Sequence, residues 1–186
     1  MRHLLLIPAA AAVVLLASCD TRHRDAEQAA ARYLAEPPPI PTDLPFELPG
    51  GTTVDDSRMR VQRATEAYRD VVERKEPFSG TDRTYYYATD LSPEAVLQFF
   101  AEAKGADSRF NQVQTKDSPC APPKLGDSGK LSQVKDPRYA PKGPCKQALV
   151  KLPDAVISIQ RPLPDLLTGE WVERTGLRVM FRAKKP

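Results

Sequence analysis

The sequence predicts an α+β fold: a small, mostly antiparallel sheet with one or two amphipathic helices packed on one face. Two patterns predict it. Segments such as 155–160 and 174–182 are rich in β-branched residues or alternate apolar with polar residues, as half-buried strands do. Few helical segments stand among these strands, and runs of strands with one or two helices are typical of α+β domains. The domain is expected to cover residues 51–186, behind a signal peptide and a Pro-rich linker.

The chain begins with an apolar stretch, Leu4 to Ala17, that follows a basic residue, Arg2. Its 14 residues would form a helix of about 20 Å, which is shorter than the roughly 30 Å hydrocarbon core of a bilayer. We therefore predict a secretory signal peptide over residues 1–18. An uncleaved N-terminal anchor is the alternative.

The leader ends in Leu16-Ala17-Ser18-Cys19, which resembles the bacterial lipobox, in which an aliphatic residue and two small residues precede a cysteine. The resemblance implies that the Cys19 sulfur carries a diacylglyceryl group and that the chain is cut before Cys19. It further implies that acyl chains such as palmitate anchor the exported protein to a bacterial membrane. Asp20 favours the inner membrane, as it does in lipoproteins of enteric-type bacteria. An unmodified Cys19 behind an ordinary cleavage site is the alternative.

Two further cysteines, Cys120 and Cys145, are predicted to form a disulfide, because an even pair in an exported chain usually does. The bond would close the loop 120–145, and a loop of about 25 residues contributes roughly 3–4 kcal/mol to stability. The pair lacks the CxxC spacing and the nearby histidine that are typical of zinc sites, so no metal ligand is expected here.

Residues 19–50 are predicted to form a tether between the lipid and the domain. Within it, 25–36 has a helical stripe made mostly of alanine, which indicates a short helix that buries little surface. The next segment, 37–49, contains six prolines and favours an extended polyproline II conformation that would span roughly 40 Å. Such a spacer would hold the domain off the bilayer, and a Pro-rich signalling ligand is the alternative.

The first part of the domain is expected to contain a strand, a helix and a second strand. Thr52 to Val54 is typical of a strand start. Residues 57–63 fit either a strand or a helix, with the strand favoured, and 64–75 fit a helix. A turn at 77–80 then precedes a strand at 83–89.

Three consecutive tyrosines lie in the strand 83–89. Because successive side chains point to opposite faces of a sheet, Tyr85 and Tyr87 are expected on one face and Tyr86 on the other. Tyrosines favour strands and pack well in cores, and their rings also stack on sugars and peptides. We therefore name Tyr85 and Tyr87 as candidate binding residues and keep plain packing as the alternative.

The strongest local signal in the domain is a capped helix. Ser92 fits the N-cap position, Pro93 the first turn and Gly105 the C-terminal end. Four apolar residues form the stripe that is predicted to pack on the sheet: Val96, Leu97, Phe99 and Phe100.

Beyond this helix, 110–115 is expected to form a short strand, and 119–145 a Pro-rich loop that the disulfide restrains. The strands 155–160 and 174–182 close the chain. Trp171, which stands just before the last strand, is expected to pack over the edge of the sheet.

Positive charge is concentrated on the loop and the strand after it, since residues 120–151 hold seven bases and two acids. Lys135, Arg138 and Lys142 are candidate contacts with an anionic lipid or wall polymer, together with the basic C-terminus. A solvated surface is the alternative. Over the whole chain, 27 bases and 24 acids give a net charge of +3, which is too balanced to predict a nucleic-acid partner.

No catalytic residue, metal site or cofactor is predicted. Both histidines precede residue 24, which excludes a His-based triad and a His-built metal site in the domain. The chain also lacks the spacings of nucleophile elbows, phosphate-binding loops, dinucleotide folds, zinc proteases and EF-hands. A carboxylate-based hydrolase is kept as an alternative, because glycosidases need only a pair of acids.

The sequence therefore predicts a lipid-anchored, non-enzymatic envelope protein that binds or assembles an envelope protein or an anionic polymer. A structural lipoprotein that lies against anionic lipid or wall polymer is the alternative. The segment from Leu48-Pro49-Gly50 to Thr89-Asp90-Leu91-Ser92-Pro93-Glu94 is similar to a pattern in uncharacterised bacterial envelope lipoproteins, and this resemblance implies no known activity.

Overall fold

The computed structural model describes residues 10–73, 82–102, 112–141 and 143–182, with side chains from residue 21 onward. Several predictions made from the sequence lie outside the described residues. They concern the first nine residues, the side chains of Cys19 and Asp20, the turn at 77–80, Gly105, the start of the strand 110–115, and Lys142.

The described residues form three α-helices and eight strands. The helices are α1 (Ala10–Ala35), α2 (Asp56–Glu73) and α3 (Pro93–Ala101). The strands are β1 (Thr53–Val54), β2 (Asp82–Thr89), β3 (Gln114–Lys116), β4 (Cys145–Leu152), β5 (Ala155–Arg161), β6 (Leu163–Pro164), β7 (Trp171–Val172) and β8 (Thr175–Arg182). A 3₁₀ turn, Gly126–Lys130, lies in the loop between β3 and β4. None of the helices, within the described ranges, combines the length and the apolar character that crossing a bilayer requires.

Six of these strands form one antiparallel sheet in the order β1-β2-β8-β5-β4-β3, and β6 pairs with β7 in a separate ribbon. The predicted α+β class with an antiparallel sheet is confirmed. Strand β4 was not predicted, because Lys146, Gln147 and Ala148 have low strand propensity and the segment follows a Pro-rich loop. Trp171 lies in the β6–β7 ribbon, where its strand partner is Pro164.

One face of the sheet carries the main core, which α3 covers. The side chain of Ser92 accepts a hydrogen bond from the backbone N–H of Ala95, and Pro93 occupies the first turn, as predicted. Val96, Leu97 and Phe100 are buried against strand residues such as Ile157, Leu177 and Val179. Phe99 does not share this burial: it is 39% exposed and touches Phe100 edge to face, so its predicted place in the buried stripe is wrong.

Helices α1 and α2 pack against each other away from this core. Ala26 and Ala30 of α1 are fully buried against Val61, Ala64 and Tyr68 of α2. The absence of bulky side chains in the alanine stripe lets the two helices approach closely, which differs from the expectation that this segment buries little surface. The structure thus uses the stripe as a helix–helix interface.

Helix α2 begins at Asp56, so the strand favoured for 57–63 is wrong. Asp55 caps the helix, because its Oδ1 accepts hydrogen bonds from the backbone N–H of Arg58 at 3.2 Å and from the Ser57 hydroxyl at 3.2 Å. Met59 faces the sheet and Val61 faces α1, and both are buried. Because α2 is covered on two sides, residues two apart, such as Met59 and Val61, are both buried and apolar. This spacing gave the sequence 57–63 its strand-like alternation.

The Pro-rich segment that follows α1 is not detached from the domain. Leu44, Phe46 and Leu48 pack against the core between α3 and the sheet, and Phe46 meets Phe100 edge to face at 5.9 Å. Asp43 accepts a hydrogen bond from the Tyr85 hydroxyl. The segment therefore runs along the domain, where a free spacer was expected.

Candidate binding cleft

A cleft of about 1070 Å³ lies between α2, the 3₁₀ turn and the face of the sheet opposite α3. We call it the polar cleft. Helix α2 forms one wall, through residues from Arg58 to Arg69. The loop segment 123–128 forms a second wall, and residues of five strands form the floor. Its size is at the upper end of the roughly 300–1,000 Å³ found for small-molecule sites.

Strand alternation decides which side chains reach the polar cleft. In β8, Leu177 and Val179 point into the main core, whereas Gly176 and Arg178 line the cleft. In β5, Ile157 lies in the core, and Ser158 and Gln160 line the cleft. The sheet thus has an apolar face under α3 and a polar face under α2.

The strand register arranges the floor in two rows. The first row runs Tyr86–Arg178–Ser158–Leu149, each residue opposite the next on the neighbouring strand. The second row runs Gly176–Gln160–Gln147–Gln114. Neighbouring strands lie about 4.8 Å apart, so the Cα atoms of the three glutamines form a line roughly 10 Å long, and all three residues line the cleft. We call Gln114, Gln147 and Gln160 the amide ladder.

Arg58 is held at the inner wall of the polar cleft by two neighbours. Its Nε lies 3.6 Å from Oδ2 of the buried Asp55, and its guanidinium carbon lies 5.9 Å from the centre of the Tyr86 ring. Burial lowers the pKa of Arg58, and the Asp55 carboxylate opposes that shift. Burial also raises the pKa of Asp55, and the positive charge of Arg58 opposes that rise. Gly176 lies beside the guanidinium, since a Cβ built there would be 3.6 Å from Arg58 Nη1, an ordinary van der Waals distance.

Arg178 is the cross-strand partner of Tyr86 and lines the same cleft. Its side chain is exposed to the cleft and forms no ion pair with any residue in the described ranges. The charged side chains among the described lining residues are four bases and one acid: Arg58, Arg69, Lys124, Arg178 and Glu66. The polar cleft is therefore positively charged.

The disulfide predicted between Cys120 and Cys145 is present, with the two Cα atoms 4.7 Å apart and both residues buried. Cys145 begins β4 and pairs with Lys116 of β3. The bond therefore fixes the start of the loop whose residues 123–128 form a wall of the polar cleft. The position of that wall depends on the cross-link as well as on packing.

The candidate binding tyrosines lie on the opposite face of the sheet from the cleft. Tyr87 is 4% exposed in the main core, and Tyr85 is half-buried against it. Burial raises the pKa of each hydroxyl to about 12. Tyr86 is the tyrosine that lines the polar cleft. The predicted alternation is confirmed, and a binding role for Tyr85 and Tyr87 stays a prediction, since alternation alone does not say which face is covered.

The basic candidates of the loop lie apart from the polar cleft. Lys135 and Arg138 are exposed and do not line it, although the backbone N–H of Lys135 donates to Leu166 O at 2.9 Å. The polar positions in β5 and β8, Ser158 and Arg178 among them, were visible in the sequence as period-2 alternation. Nothing local indicated that α2 and the 3₁₀ turn would stand over them.

A second cavity, of about 480 Å³, lies beside the start of α3 and is lined mainly by prolines and charged residues. Its two basic side chains are paired: Lys146 with Glu94 at 2.7 Å, and Arg161 with Glu173 at 3.6 Å. Its charges are thus satisfied within the protein, which distinguishes it from the polar cleft.

Within the described part of the chain, no three His, Cys, Asp or Glu side chains come together in a metal-binding group. No protein-family model, curated protein or solved structure matches the chain.

Proposed function

We propose that this protein is a lipid-anchored bacterial envelope protein that binds a polar ligand in the polar cleft without chemically changing it. The observation that carries the proposal is the floor of that cleft, which gathers the polar side chains of Tyr86, Arg178, Ser158 and the amide ladder on one face of the sheet. Soluble domains normally cover or solvate such a face, and here α2 stands over it and leaves a concave space.

Two observations support the envelope location. The segment Leu16-Ala17-Ser18-Cys19 resembles the lipobox, which makes Cys19 the proposed lipid-bearing residue. The Cys120–Cys145 disulfide is the kind of bond that persists in exported proteins and is rare in the cytosol. In this proposal the membrane is the partner of the N-terminus, and the ligand of the cleft is an envelope component.

The docking of α1 changes the proposed geometry of the anchor. Cys19 lies in the same helix as Ala26, which is buried against α2. Seven residues of helix span about 10 Å, so the lipid would hold the domain close to the bilayer surface. The roughly 40 Å spacer expected from the prolines is not needed in this arrangement.

Binding is favoured over turnover by the groups that line the cleft. A glycosidase needs two facing carboxyl groups. Among the described lining residues, Glu66 supplies a carboxylate, and it accepts a hydrogen bond from Gln62 at 3.0 Å. The structural alternative, contact of exposed basic residues such as Lys135 and Arg138 with anionic lipid or wall polymer, would use a surface outside the cleft.

The proposal is tested in cells by a photo-crosslinking amino acid placed at Gln114, on the floor of the cleft. The matched control replaces Gln98, which is an exposed glutamine on α3, on the other side of the sheet. We expect a specific product at 114 and none at 98. Equal labelling at both positions would refute the cleft as the binding site.

The anchor is tested separately by mass spectrometry of the mature N-terminus. We expect a chain that begins at Cys19 and carries a diacylglyceryl group. A mature chain that begins elsewhere, or an unmodified Cys19, would refute the lipid anchor and would leave the binding site to be judged by the crosslinking result.

A further inference from the structure

We propose that the polar cleft binds an acidic saccharide, with its carboxylate between the guanidinium groups of Arg58 and Arg178 and its hydroxyl groups on the amide ladder. This inference rests on the binding function proposed above and deepens it by naming the class of ligand.

The charge balance of the cleft points to an anion. The Arg58 guanidinium lies over the Tyr86 ring, and Arg178 is the cross-strand partner of Tyr86. The Asp55 carboxylate pairs with Arg58. Arg178 has no counter-ion among the described residues. An Arg side chain presents a planar fork of donors that matches a carboxylate, and a site with two such forks and one internal carboxylate is complemented by one further negative charge.

The free hydrogen-bonding groups of the floor point to hydroxyls. None of the three amide side chains of the ladder forms a hydrogen bond with another described residue. Each amide both donates and accepts, as a hydroxyl group does, so a row of amides matches a row of hydroxyls. Ser158 and Thr84 add hydroxyl groups to the same surface, and the Tyr86 ring lies among them.

The shape of the cleft agrees with a short chain of sugars. Its volume of about 1070 Å³ is at the upper end of the range for small-molecule sites, and the floor extends from β2 at one side to β3 at the other. The ladder runs across the strands, so a bound chain would cross the sheet from Gly176 towards Gln114. An acidic peptide is the competing occupant, and the experiment below tells the two apart.

The test is calorimetric titration of the full chain, in detergent, with trigalacturonate and with its fully methyl-esterified form. The two probes share a sugar skeleton and differ in charge. We expect the charged trisaccharide to bind at least tenfold more tightly than the ester. An aspartate-rich tripeptide is expected not to bind.

Variants then assign the binding to named residues. Arg178→Gln is expected to weaken trigalacturonate binding ten- to hundredfold and to leave the weak binding of the ester unchanged, because it removes one charge-assisted contact. Gln160→Ala is expected to weaken both probes by a few fold. The control is Arg182→Gln, on the same strand, exposed and paired with Asp82 outside the cleft, which should change neither affinity.

Several results would overturn the inference: equal affinity for the acid and the ester, an Arg178→Gln affinity equal to that of the parent, preference for the acidic peptide, or no saccharide binding at all. If any of these occurs while Gln114 still crosslinks a component and Gln98 does not, the binding function stands and the acidic-saccharide class is wrong. If the crosslinking also fails to separate the two positions, the binding function itself is wrong.

Discussion

Replacing Phe100 with alanine tests how α3 is mounted on the sheet. Phe100 is fully buried and meets Phe46 and Phe99 edge to face, so the substitution removes a whole ring from the main core. Losing a buried phenylalanine and leaving a cavity costs about 3–5 kcal/mol of unfolding free energy. That is a large share of the stability of a typical domain, which is roughly 5–15 kcal/mol.

The neighbouring residue supplies the control. Phe99→Ala makes the same chemical change one position away, at a side chain that is 39% exposed. We expect a loss of about 1 kcal/mol, made up of partial burial and one edge-to-face contact. Urea unfolding of both variants, with the disulfide intact, gives the two free energies directly, provided that the slope of the transition is unchanged.

The two variants must differ if the orientation of α3 is correct. Similar losses, or a larger loss for Phe99→Ala, would refute the assignment of Phe100 to the core and would require α3 to be rotated about its axis. Because α3 and the polar cleft lie on opposite faces of the sheet, Phe99→Ala should also leave crosslinking from Gln114 unchanged.

Three further predictions concern the cross-link, the buried tyrosines and the helix interface. Replacing both Cys120 and Cys145 with serine should lower the unfolding free energy by about 3–4 kcal/mol and weaken ligand binding in the cleft. In the parent, alkylation before reduction should leave both cysteines unlabelled. Tyr87→Phe should raise the unfolding free energy by about 1 kcal/mol, because the buried Tyr87 hydroxyl has no hydrogen-bond partner among the described residues. Tyr85→Phe should lower it, because the Tyr85 hydroxyl donates to Asp43. Opposite signs for the two variants would contradict these contacts. The pKa values of Tyr85 and Tyr87 in the folded state, about 12, exceed the unfolded value of 10.0, so the stability linked to their protonation is complete below pH 10 and is lost as the pH rises towards 12. In denaturation experiments at increasing pH, Tyr87→Phe should therefore lose less unfolding free energy than the parent. Ala30→Leu should overpack the α1–α2 interface and lower the unfolding free energy by about 1–3 kcal/mol. Faster proteolysis of the Pro-rich segment would show that α1 has separated from α2. An unchanged digestion rate would mean that α1 is not docked.

The docked position of α1 also gives meaning to the placement of the cleft. Helix α1, which carries Cys19, packs on α2, and α2 forms a wall of the polar cleft, so the proposed anchor would be joined to that wall through one interface. The proposed ligand site would then lie near the membrane surface, within reach of components that are themselves close to the bilayer.

The sequence by itself determined the elements whose signals are local. Ser92 and Pro93 specify the start of α3 because capping and a fixed φ act within one turn. The alternation of Leu177, Val179 and Phe181 with Arg178, Met180 and Arg182 specifies β8. Of the three cysteines, Cys120 and Cys145 are the pair that remains when Cys19 is set aside as the proposed lipid-bearing residue, which predicts the disulfide. Each of these depends on residues that are close in the chain or on a count.

Only the tertiary structure decided what the two faces of the sheet do. Alternation placed Tyr86 opposite Tyr85 and Tyr87, but burial of one set and exposure of the other depend on where α2 and α3 dock. The strand-like pattern in 57–63 arises because α2 is covered on two sides, by the sheet and by α1. The polar cleft is formed by residues from α2, the 3₁₀ turn and five strands. A local pattern shows on which face of its own segment a side chain lies, but it does not show which distant segment packs against that face.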